Sequence, residues 1–258
     1  MTTNVQQLQV DRLQVEVYPD RAIMGAQAAR QAAAHLRQLL ASQPEVRIIF
    51  AAAPSQNEFL AALASTPEID WSRVTAFHMD EYIGLSDQAT QRFSAWLERH
   101  LFQRVKPGKV HLIPSQGKPD TICADYLRLI QRAPIDMVCL GIGENGHLAF
   151  NDPPVADFDD PQGMKAVQLD EICRQQQVND GCFATLTDVP SHALTLTIPT
   201  LMAARRLFCI VPGENKRQAV TATLRGPIAT TCPATILRHH PDCTLFTDRD
   251  AFQEPEHG

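Results

Sequence analysis

The stretch IDMVCLGIGENGHLAFNDPP (135–154) constrains this chain more than any other, because it carries an apolar run straight into a turn containing glycines. A run that apolar fits a strand buried on both faces of a parallel sheet. Open α/β sheets take their ligands outside the carboxyl ends of such strands. Gly141, Gly143 and Gly146 let the backbone turn tightly and let a ligand come close. His147 belongs to the residue type that exchanges protons near neutral pH, and Asp152 is close enough in sequence to orient it.

Strand-like and helix-like segments alternate along the rest of the chain, which predicts an α/β, Rossmann-like fold: a mostly parallel sheet with helices on both faces. LQVEV (13–17), VRIIFAA (46–52), VTAFHM (74–79), VHLI (110–113), IDMVCL (135–140), ALTLTI (193–198), LFCIVP (207–212) and CTLFTD (243–248) read as strands. Asp20 caps an Ala-rich helix reaching Ser42. Ser55 and Glu58 have capping-box spacing, so a helix is expected from there to Ser65. Further helices are expected over 93–102, over 121–133 with Asp120 as cap, over 169–177 and over 214–224. Residues 153–163, rich in Pro and Asp, read as a loop with the character of a lid beside the proposed site. With no repeat or linker, one domain over 1–258 is the simplest organisation.

A net charge of -6 gives no footing for general nucleic-acid binding, so an anionic substrate must meet local positive potential. No apolar run has the length of a membrane span, and the N-terminus lacks the pattern of a signal peptide. The seven cysteines are scattered through apolar segments, which fits reduced thiols in a cytoplasmic protein. Cys232, His239, His240 and Cys243 lack the paired spacing of a structural zinc site and read as unrelated, so no metal is expected.

A second run, VTAFHMDEYIGL (74–85), is a strand that ends in charge. Neighbouring side chains of an extended chain point to opposite faces, so of Asp80 and Glu81 one can face a cleft while the other serves the scaffold. Together the two runs resemble the glucosamine-6-phosphate deaminase (isomerase) family, related to the 6-phosphogluconolactonases. The resemblance rests on Met79-Asp80-Glu81-Tyr82 with Gly84-Leu85, and on Gly141 and Gly143 followed by Gly146-His147-Leu148-Ala149-Phe150-Asn151-Asp152-Pro153. A weaker match runs from His192 to Val220 and ends in a Lys-bearing helix start.

The resemblance implies a cofactor-free conversion of glucosamine 6-phosphate to fructose 6-phosphate and ammonia, in a protein that can assemble as a homo-oligomer. It gives Asp80 the part of the base at carbon and His147 that of the ring-opening acid/base, with Asp152 orienting His147. Lys216 would contact the phosphate, with Ser55, Gln56, Gly143 and Gly146 completing the substrate site. Four departures stand out. Asn145 occupies a catalytic position the family fills with an acid, and Asp152 is one methylene shorter than the family's glutamate. The 50–58 run FAAAPSQNE has no glycine where the family has a Gly-rich phosphate loop, and Glu58 in that first turn is expected to repel a phosphate. Where the family supplies a phosphate-binding arginine this chain has CRQQQVNDGCF, with only Arg174 nearby. The rival readings are a lactonase in which His147 activates water, and a sugar-phosphate-binding protein without turnover.

Overall fold

The apolar runs that alternate with helical segments form strands stacked side by side, as buried parallel strands do. The computed structural model describes residues 5–254. In chain order its elements begin with β1 (Gln6–Val10), β2 (Leu13–Tyr18), α1 (Arg21–Ser42), β3 (Val46–Phe50), α2 (Asn57–Ser65), β4 (Val74–His78) and β5 (Asp80–Tyr82). Next come α3 (Phe93–Leu97), running through a wider π turn (Glu98–Phe102) into α4 (Gln103–Val105), then β6 (Lys109–Val110), α5 (Pro119–Ile130), β7 (Met137–Leu140), β8 (Met164–Gln168) and α6 (Glu171–Asn179). The last are β9 (His192–Leu196), α7 (Ile198–Met202), β10 (Arg206–Val211), α8 (Arg217–Arg225) and β11 (Cys243–Asp248).

Eight strands form one sheet in the order β1-β2-β11-β10-β7-β3-β4-β6. Only the β1–β2 pair is antiparallel, so the fold is the mostly parallel α/β one expected. Alternate side chains of the strands enter two apolar cores, one on each face of the sheet. Ile48 and Phe50 of β3 pack in the core that contains α1 and α2, while Ile49 joins the one that contains Tyr126 and Ile130 of α5 and Val220 of α8. The order reverses between β3 and β7, for the chain moves outward from β3 to β4 and β6 and returns on the other side through β7, β10 and β11. That reversal opens a crevice beyond the carboxyl ends of β3 and β7, the switch point at which such sheets take ligands.

A second, antiparallel sheet, β5-β9-β8, is absent from the sequence reading, as is β1. Two caps also differ. Asp20 does accept the Ile23 amide at 2.8 Å and starts α1. Ser55 caps nothing, because a 3-10 turn (Pro54–Gln56) precedes α2, and Glu58 bonds Arg21 instead. Helix α5 begins one residue before Asp120, with Lys118 as its cap. Residues 153–163 do form a loop, but none of them lines the crevice; Lys165 holds them through Val155 O and Asp160, each at 2.7 Å.

Candidate active site

Four connections after parallel strands supply the walls of the crevice: 51–55 after β3, Met79 and Asp80 after β4, 141–143 after β7, and Pro212, Asn215 and Lys216 after β10. The space between these walls is about 800 Å³ with its open mouth included.

Asp80 is 7% exposed and faces this cleft, and its carboxyl has no hydrogen-bond or ion-pair partner among the described residues. Burial, and then the neighbouring charge of Glu81, raises its pKa well above the usual carboxylate range. The adjacent Glu81 points the other way and is fully buried. Its carboxylate accepts the amides of Tyr82, Phe93 and Ser94 and the Ser94 hydroxyl, tying β5 to the start of α3. His78 locks the bend between the two strands. Its Nδ1–H donates to Asp80 O at 2.9 Å, and its Nε2 accepts the Ile113 amide at 2.8 Å. Full burial pushes the His78 pKa down to about 3, so the ring is neutral.

His147 stands in the glycine turn with its ring over Gly143, where a Cβ would lie 2.1–2.3 Å from the imidazole atoms. Only glycine permits that approach. Gly146 takes φ +85°, shapes the turn against Cys232 and lies behind the cleft wall. Ala149, lining the cleft, also has a positive φ of 51°, a strained conformation for a residue with a Cβ. The His147 Nδ1 meets Asn145 Oδ1 at 2.8 Å and Asp152 Oδ1 at 3.0 Å, while Asn145 Nδ2 donates to Asp152 Oδ1 at 2.9 Å. Both partners of Nδ1 are acceptors, so Nδ1 carries the proton and Nε2 is left for a substrate. Asn145 thus bridges ring and carboxylate, and the shorter Asp152 still reaches the ring. Burial works against the Asp152 charge, but His147 and the Asn145 amide outweigh it and hold its pKa below the usual range.

The Cys173 thiol lies beside this pair; His147, Asp152 and Cys173 offer ligand atoms all within 4.8 Å of one another. Burial raises the thiol pKa and favours its neutral form. The Cys232, His239, His240 and Cys243 set does not converge. His240 pairs with Ala204 O and the Asp242 amide, and Cys243 lies within β11.

Ser55 lines the cleft, whereas Gln56 is wholly buried behind it, its Nε2 donating to Ser55 Oγ and Ile210 O, each at 3.1 Å. Lys216 is 4% exposed, and its ammonium enters the cleft without a hydrogen bond or ion pair to any described residue. Burial lowers its pKa, and the charges of Asp180 and Glu144 oppose that. Arg174 is elsewhere, donating to Leu186 O and Val189 O. In its region Gln176, Gln177 and Asp180 line the cleft instead, and the sequence pattern gave no sign of them. Arg21, at the start of α1, also lines the cleft and pairs with Glu58 through two bonds of 2.8 and 3.0 Å. Glu58 is therefore tied to a cation and is not the free repelling charge expected of it. Nothing in the local sequence joins Arg21 to Glu58; the packing of α1 on α2 does.

Similarity to known proteins bears on this geometry. A family model described as glucosamine-6-phosphate isomerases/6-phosphogluconolactonase matches residues 19–246. A glucosamine-6-phosphate deaminase of Listeria welshimeri is 34% identical over 209 residues, covering 80% of this chain and 87% of that one. One from Lactobacillus delbrueckii is 33% identical over 186 residues, covering 71% and 77%. A solved monomeric glucosamine-6-phosphate deaminase superposes with a TM-score of 0.84 at 27% identity, covering 92% of this chain and 98% of that one. The 6-phosphogluconolactonase of Thermotoga maritima shares the fold, with a TM-score of 0.75 at 18% identity, covering 92% and 100%. Because the family model matches residues 19–246, this chain belongs to the glucosamine-6-phosphate isomerase/6-phosphogluconolactonase family.

Proposed function

We propose that this protein is an enzyme that converts an amino-sugar phosphate to a keto-sugar phosphate and ammonia, with glucosamine 6-phosphate giving fructose 6-phosphate. The observation that carries the reading is the buried carboxyl of Asp80, without a partner among the described residues, in the same cleft as a His147 whose Nε2 has none among them either. His147 Nε2 moves a proton between the ring oxygen and the anomeric hydroxyl, opening the sugar to its aldehyde. Asp80 takes the proton from C2 and an enolamine forms; a proton returned at C1 leaves an imine at C2. Water adds to that carbon and ammonia departs. Proton transfer and hydration account for every bond made and broken. Asp152 and Asn145 keep the His147 ring in its tautomer and stabilise its charged form. Lys216 and Ser55 meet the phosphate, and the fit of both to that part rests on the resemblance together with their presence in the cleft.

A base must be ionised to act. Because burial raises the Asp80 pKa, turnover should fall as pH drops through that raised value, well above the pH at which an ordinary carboxylate protonates. Phosphorylated substrates and free cysteines fit a reducing, cytoplasmic compartment. A lactonase would use His147 to activate water and leave Asp80 without a task. Ammonia release from glucosamine 6-phosphate and hydrolysis of 6-phosphogluconolactone, both assayed with chelator present, separate the readings. Ammonia release is expected, and lactone hydrolysis without it would overturn the proposal.

A further inference from the structure

Apart from His147, the basic side chains that line the cleft among the described residues are Arg21 and Lys216. Lys216 is opposed by the Asp180 and Glu144 charges, so part of its attraction is offset before any substrate arrives. Arg21 reaches the cleft from another helix, with Nη2 on Pro54 O at 3.2 Å, directly beside Ser55. The Pro54–Gln56 turn is in turn bonded to the end of β10 through Gln56 Nε2 and Ile210 O, six residues before Lys216. Arg21, Ser55 and Lys216 thus line one cleft from three segments distant in sequence. The guanidinium gives Nε and Nη2 to Glu58 and keeps Nη1 without a partner among the described residues. A guanidinium carries five N–H donors, so one already holding a carboxylate can still receive a phosphate.

We propose that Arg21 is a specificity-determining residue, which binds the anionic group of the substrate with Ser55 and Lys216 and makes the cleft select a phosphorylated sugar. This rests on the function proposed above. Glu58 opposes this through its charge: it neutralises part of the Arg21 cation and so weakens the pull on an anion, while Nη1 stays open to one. The Arg21–Glu58 pair is partly exposed, so its own contribution to stability is small. Its consequences belong to binding.

The test sets two substitutions against each other, since removing either partner breaks the same ion pair. Steady-state kinetics with glucosamine 6-phosphate would be combined with calorimetric binding of glucitol 6-phosphate, an analogue that cannot open or react. Arg21→Gln should raise KM and weaken glucitol 6-phosphate binding by about tenfold or more, the scale of a lost charge-assisted hydrogen bond. Arg21→Lys should recover part of that loss. Glu58→Gln should move both quantities the opposite way, because it removes the charge that opposes an anion beside the guanidinium. If the two glutamine variants shift KM and affinity in the same direction, or Arg21→Gln shifts neither, Arg21 serves only to tie α1 to α2 and the proposal is overturned. A wild-type protein that releases no ammonia rejects the function instead, and the glucitol 6-phosphate affinities still decide the part played by Arg21.

Discussion

At Asp80 the fold holds a carboxyl where its charge is disfavoured. The fold favours its protonated form, since burial and Glu81 both raise its pKa. The stability it contributes is therefore complete below the unfolded value near pH 3.9 and is lost as pH rises through the folded value. At pH 7, where the carboxyl of the unfolded chain is ionised, burying it costs the native protein stability. Asp80→Asn keeps the shape and removes that penalty, so it should raise the urea midpoint at pH 7 relative to the wild type and erase the difference in acid. Equal midpoints at both pH values would contradict the assignment of a raised pKa. Asp152 has the opposite sign: its lowered pKa gives stability present above the ordinary carboxylate value and lost as pH falls through the folded one. The two carboxylates of the site thus respond to acid in opposite ways.

At the scale of elements, the site depends on strand ends held by side chains that never touch a ligand. Glu81 accepts four bonds in the interior and joins β5 to α3, whose Phe93 lines the cleft. Glu81→Ala would leave the Phe93 and Ser94 donors buried without partners, costing about 3 kcal/mol. A urea midpoint unchanged in that variant would show that the joint is not structural. The parallel strands and the glycine turn could be read from the chain because their signals are local: apolar runs of four to six residues, and glycines where a ring must lie on the backbone. The second sheet could not. Asp80–Tyr82 is three residues long, and the alternation in MKAVQ (164–168) gains meaning only against β9, which lies beyond an intervening helix. Arg21 and Glu58 were hidden for the same reason, since 37 residues separate them and only helix packing brings them together. Ser55 and Glu58 imitated a capping box, but Pro54 starts a 3-10 turn there and Arg21 captures the glutamate. Gln176, Gln177 and Asp180 reach the cleft from α6 and the residue just after it, where the polar run QQQ carried no periodic cue.

For the whole molecule, topology decides where the chemistry goes. The reversal between β3 and β7 gathers the loops after β3, β4, β7 and β10 around one crevice, so residues as far apart as Arg21, Asp80, His147 and Lys216 share it. We take the chain as one folding unit on this basis, because both apolar cores lean on the same central sheet. The proposed reaction requires that crevice to remove a carbon-bound proton with Asp80. The decisive measurement is the rate of ammonia release from glucosamine 6-phosphate by the wild type and by Asp80→Asn, with circular dichroism confirming the fold of both. The account predicts release by the wild type and a loss of at least about 100-fold in the variant, the scale of a missing general base. A variant that retains a rate close to the wild type's would contradict it.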